Sequence, residues 1–453
     1  MYKVMKQKIL TYFIVVTACI GLHSCLFKQD DYFDASSAER ATADVLKCSE
    51  LLKSSPNGWL MEYYVGPDYS LGGITLFCKF GEEKVKMAST LTTPNVPSGV
   101  SMESLYRIVS EQSTMLTFDS YNELIHYFGT PMGSGNDANA NMGGDYEFII
   151  MNTSNDRIIL QGKKYGNTII MTRLPAETDW KEYIRNVNQI EEEAYLYQFD
   201  VIVGDQRIGE LKRANYTLTW NDKEISSSTI PFVFTPNGFH FREPITIDGK
   251  EVQHFTWDTP SMTFTCKDEG AQNIKLVSTY PAGYLYYNDF LGNYTFKCQS
   301  MLPPTSPEEM PVPESKEVEI SILQKVENES FTMTGLNAPI TMTYDRTNGK
   351  MGITVQPVGT IGSYYAAISF GNNQGYIPFY QSVLTGYYFT VTSKVENTNP
   401  LVLSFEDEGT FKMLTNQDPT GIIFQGYTSG NYNSNTFNGW MAWYFDYTIE
   451  KKQ

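Results

Sequence analysis

Apolar positions along the chain follow two rhythms. At Ala38, Ala41, Val45, Cys48 and Leu52 they recur every three or four residues, which lays one stripe along a helix. Ser36 and Glu39 stand ahead of that stripe at capping-box spacing, and Pro56-Asn57-Gly58 stops it. From Trp59 the rhythm changes to alternation. Residues 59–65, 71–80, 85–89, 146–151, 157–160 and 167–172 are short runs of branched and aromatic side chains separated by turns, the pattern of antiparallel strands. A second helix is expected over 178–195, with Trp180, Ile184, Val187, Ile190 and Ala194 facing a sheet and the acidic run 191–193 on its solvated side.

Beyond Phe199 the alternation returns, and Asn237-Gly238, Asp248-Gly249 and Asn348-Gly349 mark tight turns because such pairs accept positive φ cheaply. A two-residue hairpin at Asp248-Gly249 sets Glu243 opposite His254, a register that Pro244 disturbs. A domain boundary is expected at 281–289, where one strand series ends and another begins at Leu291. The proline-rich stretch 303–313 reads as a stiff loop within the second series. The predicted fold is mainly β. It comprises two antiparallel β domains, each a sandwich or lipocalin-like barrel, with a few helices in the N-terminal half: 36–285 is β-rich with helices and 286–453 is all β.

Composition narrows the function classes. Of 453 residues, 41% are hydrophobic and 19% charged, which is a globular composition with core to bury. The formal charge of −17 opposes binding to phosphate backbones and excludes nucleic acid as a partner. Lys3, Lys6 and Lys8 precede the apolar run 9–22, the layout of an export signal. That run falls short of the roughly 20 residues a spanning helix needs. It ends in Leu22-His23-Ser24-Cys25, which resembles the lipobox of bacterial lipoproteins: 1–24 is then the signal peptide, Cys25 the lipidated N-terminus and 25–35 a tether. Lys28, Gln29, Asp30 and Asp31 beside the anchor resemble the acidic surface-export signals of Bacteroidetes lipoproteins. The expected location is therefore the outer membrane, lipid-anchored at the cell surface.

Four cysteines follow the tether. Cys48 lies on the helical stripe, and Cys78, Cys266 and Cys298 alternate with apolar neighbours in strand patterns, so all four read as buried free thiols rather than a disulfide framework.

The segments Asp31-Tyr-Phe-Asp-Ala-Ser-Ser-Ala-Glu-Arg40, Asn57-Gly-Trp-Leu-Met-Glu-Tyr-Tyr64, Gly72-Gly73 and Gly144-Asp-Tyr-Glu-Phe-Ile-Ile150 together resemble a family of Bacteroidetes outer-membrane lipoproteins of unknown function. The resemblance implies a gene neighbourhood with SusC/SusD-like uptake pairs, and so uptake proteins as partners. It brings no catalytic residues.

Candidate chemistry is sparse. His126, His240 and His254 do not stand at metal-ligand spacing, and half-buried structural imidazoles are the expected outcome. In the polar loop 133–145, Asp137, Asn139, Asn141 and Asp145 alternate as in a calcium loop, but Met142 and Phe148 occupy the positions that need glycine and glutamate. No nucleophile elbow or distinguishable carboxylate pair emerges. No cofactor and no metal are expected. The remaining signal is aromatic: Tyr427, Tyr432, Phe437 and Trp440 punctuate a polar stretch, where amphipathic rings beside amides suit stacking on sugar faces. The expected function is that of a non-catalytic accessory binder of glycan or another nutrient in outer-membrane uptake, with polysaccharide as ligand and the membrane reached through the lipid. The alternatives are a lipid-anchored surface hydrolase of glycan or peptide, and a structural or adhesin subunit.

Overall fold

The computed structural model describes residues 36–131, 141–220, 229–304, 306, 310–372 and 375–453. The signal, the tether with Cys25, and 133–140 of the polar loop lie outside the described residues. Ser36 caps the first helix, α1 (Ser37–Lys53), by the expected box: its hydroxyl accepts from the Glu39 amide at 3.3 Å, and its own amide donates to the Glu39 carboxylate at 2.8 Å. Only the C-terminal half of the stripe is covered, at Cys48 and Leu52, while Ala38 is exposed. The short α2 (Glu123–His126) and the longer α3 (Trp180–Glu193) follow, with α4 (Phe379–Thr385) and α5 (Thr410–Thr415) near the end of the chain. Among the described residues no helix is long and apolar enough to cross a membrane.

The molecule is mainly β and antiparallel, as expected, but it carries three barrel-like sheets where two domains were anticipated. The first is a closed barrel of β1 (Trp59–Val65), β2 (Gly72–Phe80), β3 (Lys84–Ser89), β4 (Met102–Ser110), β5 (Thr114–Phe118), β6 (Glu147–Thr153), β7 (Arg157–Gly162) and β8 (Thr168–Arg173). Each strand pairs with its neighbour in sequence, and Trp59 opposite Arg173 closes the ring. Strand β2 is buried on both faces, because Trp180, Tyr183 and Ile184 of α3 cover Phe77 from outside the barrel.

A second closed barrel comprises β9 (Gln198–Val203), β10 (Gln206–Ala214), β11 (Thr217–Trp220), β12 (Thr229–Thr235), β13 (Gly238–Ile247), β14 (Lys250–Asp258), β15 (Thr263–Cys266) and β16 (Ile274–Thr279). Its closing pair is β16 with β9. The Asp248-Gly249 hairpin forms with Ile247 opposite Lys250, yet a bulge between His240 and Ile245 shifts the register, so His254 faces His240 and not Glu243. The His254 ring instead meets the Asp268 carboxylate at 2.8 Å.

The third sheet holds β17 (Gly292–Met301), β18 (Glu314–Val326), β19 (Ser330–Thr334), β20 (Ile340–Asp345), β21 (Lys350–Thr354), β22 (Gln356–Ile361), β23 (Tyr364–Asn372), β24 (Gly375–Tyr376), β25 (Thr390–Thr398), β26 (Leu401–Asp407), β27 (Gly421–Tyr427) and β28 (Phe437–Lys451). A cycle runs through β17 to β21, then β25, β26 and β28, and β28 pairs back to β17. Because β28 is long, its first half pairs with β27 and carries β23 and β22 outward as a side sheet. Its core includes Phe290, Tyr294, Phe296, Phe331, Met342, Phe370 and Ile449.

Contacts divide the chain into two compact units, Met1–Val187 with Pro231–Pro236, and Asn188–Ile230 with Asn237–Gln453. The division falls inside α3, and the anticipated boundary at 281–289 lies within the second unit, between the second and third sheets.

The candidate ligand site

The structure gathers three of the four sequence-nominated aromatic residues and buries the one at their centre. The Tyr427 ring centre lies 5.1 Å from Tyr432 and 5.5 Å from Phe437, and Phe379 and Tyr380 of α4 close over them. Tyr427 is fully buried at the end of β27, whose seven residues are all inside. Its hydroxyl donates to Gln425 at 3.0 Å and accepts from the Tyr380 amide at 3.3 Å. A ring with no exposed face has none to offer a sugar, so Tyr427 is a core residue, with Tyr432 and Phe437 half-buried against it. Trp440 lies apart from them, packed with Ile423, Trp443 and Phe445.

The described part of the polar loop is also architectural. Asp145 is buried and its carboxylate accepts from the amides of Lys164 (2.8 Å) and Tyr165 (3.0 Å) and from Asn167 Nδ2 (2.6 Å), which locks the loop to the barrel. Among the described residues no group of three or more His, Cys, Asp or Glu stands close enough to hold a metal ion.

A different aromatic cluster, in the second unit, has the geometry of a binding site. It is built on the connection from β16 to β17. Pro281 and Gly283, the latter at φ 76°, turn the chain. The Tyr286 amide then donates to the Asp289 carboxylate at 2.8 Å and starts one short helical turn, Tyr287–Phe290. That turn fixes which side chains face inward. Tyr287 stacks on Phe331 with ring centres 4.4 Å apart and donates to the Ser330 carbonyl at 2.8 Å, while Phe290 is wholly buried. Tyr280, Tyr284 and Tyr286 are left in mutual ring contact at 4.5, 5.4 and 5.3 Å, with Tyr280 and Tyr286 exposed.

Two further elements complete the pocket. Tyr344 at the end of β20 donates to the Leu285 carbonyl at 2.9 Å, and its hydroxyl lies 3.2 Å from that of Tyr284. Tyr284 in turn donates to the carbonyl of Arg346 at 2.9 Å. The Arg346 guanidinium sits 4.9 Å from the ring centre of Tyr195 and donates to the Glu192 carbonyl at 2.7 Å. The acidic run anticipated as a solvated face is thus an anchor. Glu191 binds Arg213 at 3.0 Å, and Glu193 accepts from the Trp257 indole at 3.0 Å and from Thr259.

The result is a cavity of about 280 Å³ lined by Tyr195, Tyr284, Tyr286, Tyr287 and Tyr344 with Asn288, Asn328 and Arg346. Burial pushes the Tyr284 phenol well above its ordinary range, and that of Tyr344 upward. The hydrogen bond between Tyr280 and Tyr195 raises Tyr280, and the bond to Tyr280 raises Tyr286. These hydroxyls therefore stay protonated and neutral in the physiological range. The lining offers ring faces, hydroxyls, amides and the Arg346 guanidinium. The sequence did hold a signal for this site, namely four tyrosines at 280, 284, 286 and 287 beside asparagine, within what reads as a domain boundary. Tyr195, Tyr344 and Arg346 carried none, since only folding brings them there.

The model of a domain of unknown function, DUF4302, matches residues 29–259, just over half of the chain. A second model, DUF4987, also a domain of unknown function, matches residues 267–417. No curated protein and no solved structure matches the chain.

Proposed function

The chain belongs to the family of the domain of unknown function DUF4302, and we propose that it is a non-catalytic carbohydrate binder whose site is the tyrosine pocket of the second unit. The observation that carries the reading is the convergence of Tyr195, Tyr284, Tyr286 and Tyr344 around one cavity, with Asn288, Asn328 and Arg346 among them. A sugar ring presents apolar C–H faces and a rim of hydroxyls. Neutral aromatic faces flanked by amides and phenols complement both, and small-ligand sites combine such apolar walls with a few placed polar groups.

On this reading the protein is held at the outer membrane through a lipid on Cys25, faces outward and serves an uptake pair of the SusC/SusD type. The support is the lysine-led apolar run ending in Leu22-His23-Ser24-Cys25, together with the acidic residues that follow it. Protease added to intact cells removes the protein if it is on the surface, whereas survival on intact cells with degradation in permeabilised ones overturns the location. For the activity, the chain from residue 26 onward is incubated with neutral and anionic polysaccharides and with peptides, and retention and product release are scored in the same wells. Retention of a polysaccharide without product, abolished by Tyr286→Ala, supports the binder. Release of product transfers the assignment to a hydrolase, and retention of peptide alone removes the carbohydrate reading.

A further inference from the structure

The tyrosine pocket has a neighbour. A groove of about 500 Å³ adjoins it, lined by Asn288, Asp289, Thr398, Asn399, Lys451 and Lys452 among others, and Asn288 lines both depressions. The segment from Tyr284 to Asp289 divides its residues between the two. Tyr284, Tyr286 and Tyr287 line the pocket, Leu285 and Asp289 line the groove, and Asn288 belongs to each. The opposite groove wall is the turn between β25 and β26, where Thr398 and Asn399 are exposed.

The two differ in chemistry and in capacity. At about 280 Å³ the pocket falls just below the range of about 300–1,000 Å³ typical of small-ligand sites, so it accommodates only a short ligand by itself. The groove is more open, with exposed hydroxyl, amide and ammonium groups along it. Its basic groups already have hydrogen-bond or ion-pair partners within the protein. Lys451 donates to the Asp289 carbonyl at 2.7 Å, Lys452 pairs with Glu319, and on the pocket side Arg346 holds the Glu192 carbonyl. The Asp289 carboxylate also lines the groove, and the −17 of the whole chain sets a long-range field that disfavours the approach of an anionic polymer.

We infer that pocket and groove are successive subsites of one elongated site, and that its ligand is an uncharged linear glycan long enough to cross Asn288 from one to the other. This rests on the carbohydrate reading above. The pocket stacks on one or two sugar rings and sets their orientation, while the groove hydrogen-bonds the hydroxyls of the residues that follow. Affinity then depends on chain length, because each subsite filled adds contacts to a ligand whose translational freedom has already been lost.

The test is calorimetric titration of the full chain with cello-, manno-, xylo- and malto-oligosaccharides from disaccharide to hexasaccharide, with oligogalacturonides as the anionic arm. The expected result is that one neutral series binds, with affinity climbing beyond the disaccharide and then levelling off. The double variant Thr398→Ala/Asn399→Ala weakens the longest oligomer by about tenfold and leaves the disaccharide unchanged, the loss expected for one or two net hydrogen bonds. Tyr286→Ala weakens every length. A disaccharide that binds as tightly as the hexasaccharide, with the groove variant unchanged, overturns the elongated site and leaves the carbohydrate reading standing. Preferential binding of the oligogalacturonides overturns the uncharged ligand. If none of these series and none of their parent polysaccharides binds the unaltered chain, the carbohydrate reading fails first and takes this inference with it.

Discussion

Gly349 lies against the ring of Tyr284 with no room for a side chain: a Cβ at Gly349 would stand 2.7 Å from the Tyr284 ring and equally close to the Leu285 amide nitrogen. The glycine also sits at φ 66°, in the Asn348-Gly349 turn between β20 and β21. A turn legible in the sequence as a hairpin marker is thus also the seat on which a pocket tyrosine rests. Gly349→Ala must move that ring or the turn, and it adds the left-handed backbone cost of about 1–2 kcal/mol. Glycan affinity is expected to fall about tenfold, with the unfolding temperature lowered by a few degrees at most. Unchanged affinity by calorimetry refutes the positioning role.

The two tyrosine clusters separate cleanly by mutation. Tyr286 is 55% exposed with its ring against Tyr280 and Tyr284, whereas Tyr427 is fully enclosed. Tyr286→Ala is expected to reduce glycan retention while leaving the denaturation midpoint nearly unchanged. Tyr427→Ala leaves a cavity and strips Gln425 and the Tyr380 amide of a partner, a loss of about 3–5 kcal/mol by analogy with other large aromatic truncations. Per folded molecule its retention is expected to match that of the unaltered chain. The reverse outcome, stable Tyr427→Ala protein that no longer binds, returns the site to the C-terminal aromatic stretch.

The four cysteines of the described chain are free and buried, as their periodicity implies. Burial raises all four thiols: Cys78 well above the ordinary range, Cys266 and Cys298 to about 11, and Cys48 less far. Thiolate is scarce at neutral pH and access is closed, so a maleimide reagent is expected to leave the folded chain from residue 36 onward unlabelled. In denaturant without reductant the same reagent is expected to label all four. Rapid labelling of the folded protein would show that these positions open, and absence of label in denaturant would reveal a disulfide.

Local pattern carried much of the fold into view, and pairing at a distance carried the rest out of it. The capping box at Ser36 and Glu39, the strand alternation around Cys78 and the Asp248-Gly249 hairpin are written within a few residues, and each stands where the pattern puts it. Barrel closure is not written that way. Trp59 meets Arg173 and Ile274 meets Val203 across whole barrels, so nothing in the stretch 36–285 announces that it closes twice. The candidate site failed to show for the same reason. Its polar walls come from Tyr195, Asn288, Asn328 and Arg346, four separate segments, while of the conspicuous aromatic residues at 427–440 Tyr427 became core and Tyr432 and Phe437 pack half-buried under Phe379 and Tyr380 of α4. An aromatic residue in a polar segment signals a ligand only if the fold leaves its face open.

His126 gives the first unit a pH dependence with a definite sign. Burial pulls its pKa below the ordinary 6.5, against the opposing hydrogen bonds of the Asn122 and Phe118 backbone. The ring stacks on Tyr146 with centres 4.7 Å apart, and Nδ1 lies 3.2 Å from the Asn122 amide nitrogen. Because the folded state resists the proton, the unfolded chain binds more protons below about pH 6.5, so the contribution of neutral His126 is complete above that value. It is lost as pH falls from there through the lower folded pKa, where the imidazolium must form inside the packed ring cluster. His126→Asn keeps a hydrogen-bonding atom near the position of Nδ1 but cannot take up charge in this range. The unfolding temperature of the unaltered chain is expected to drop more between about pH 7.5 and pH 5 than that of His126→Asn, the two differing most at the acid end. Parallel decline of both proteins would mean that other groups set the acid limit and that His126 stays neutral throughout.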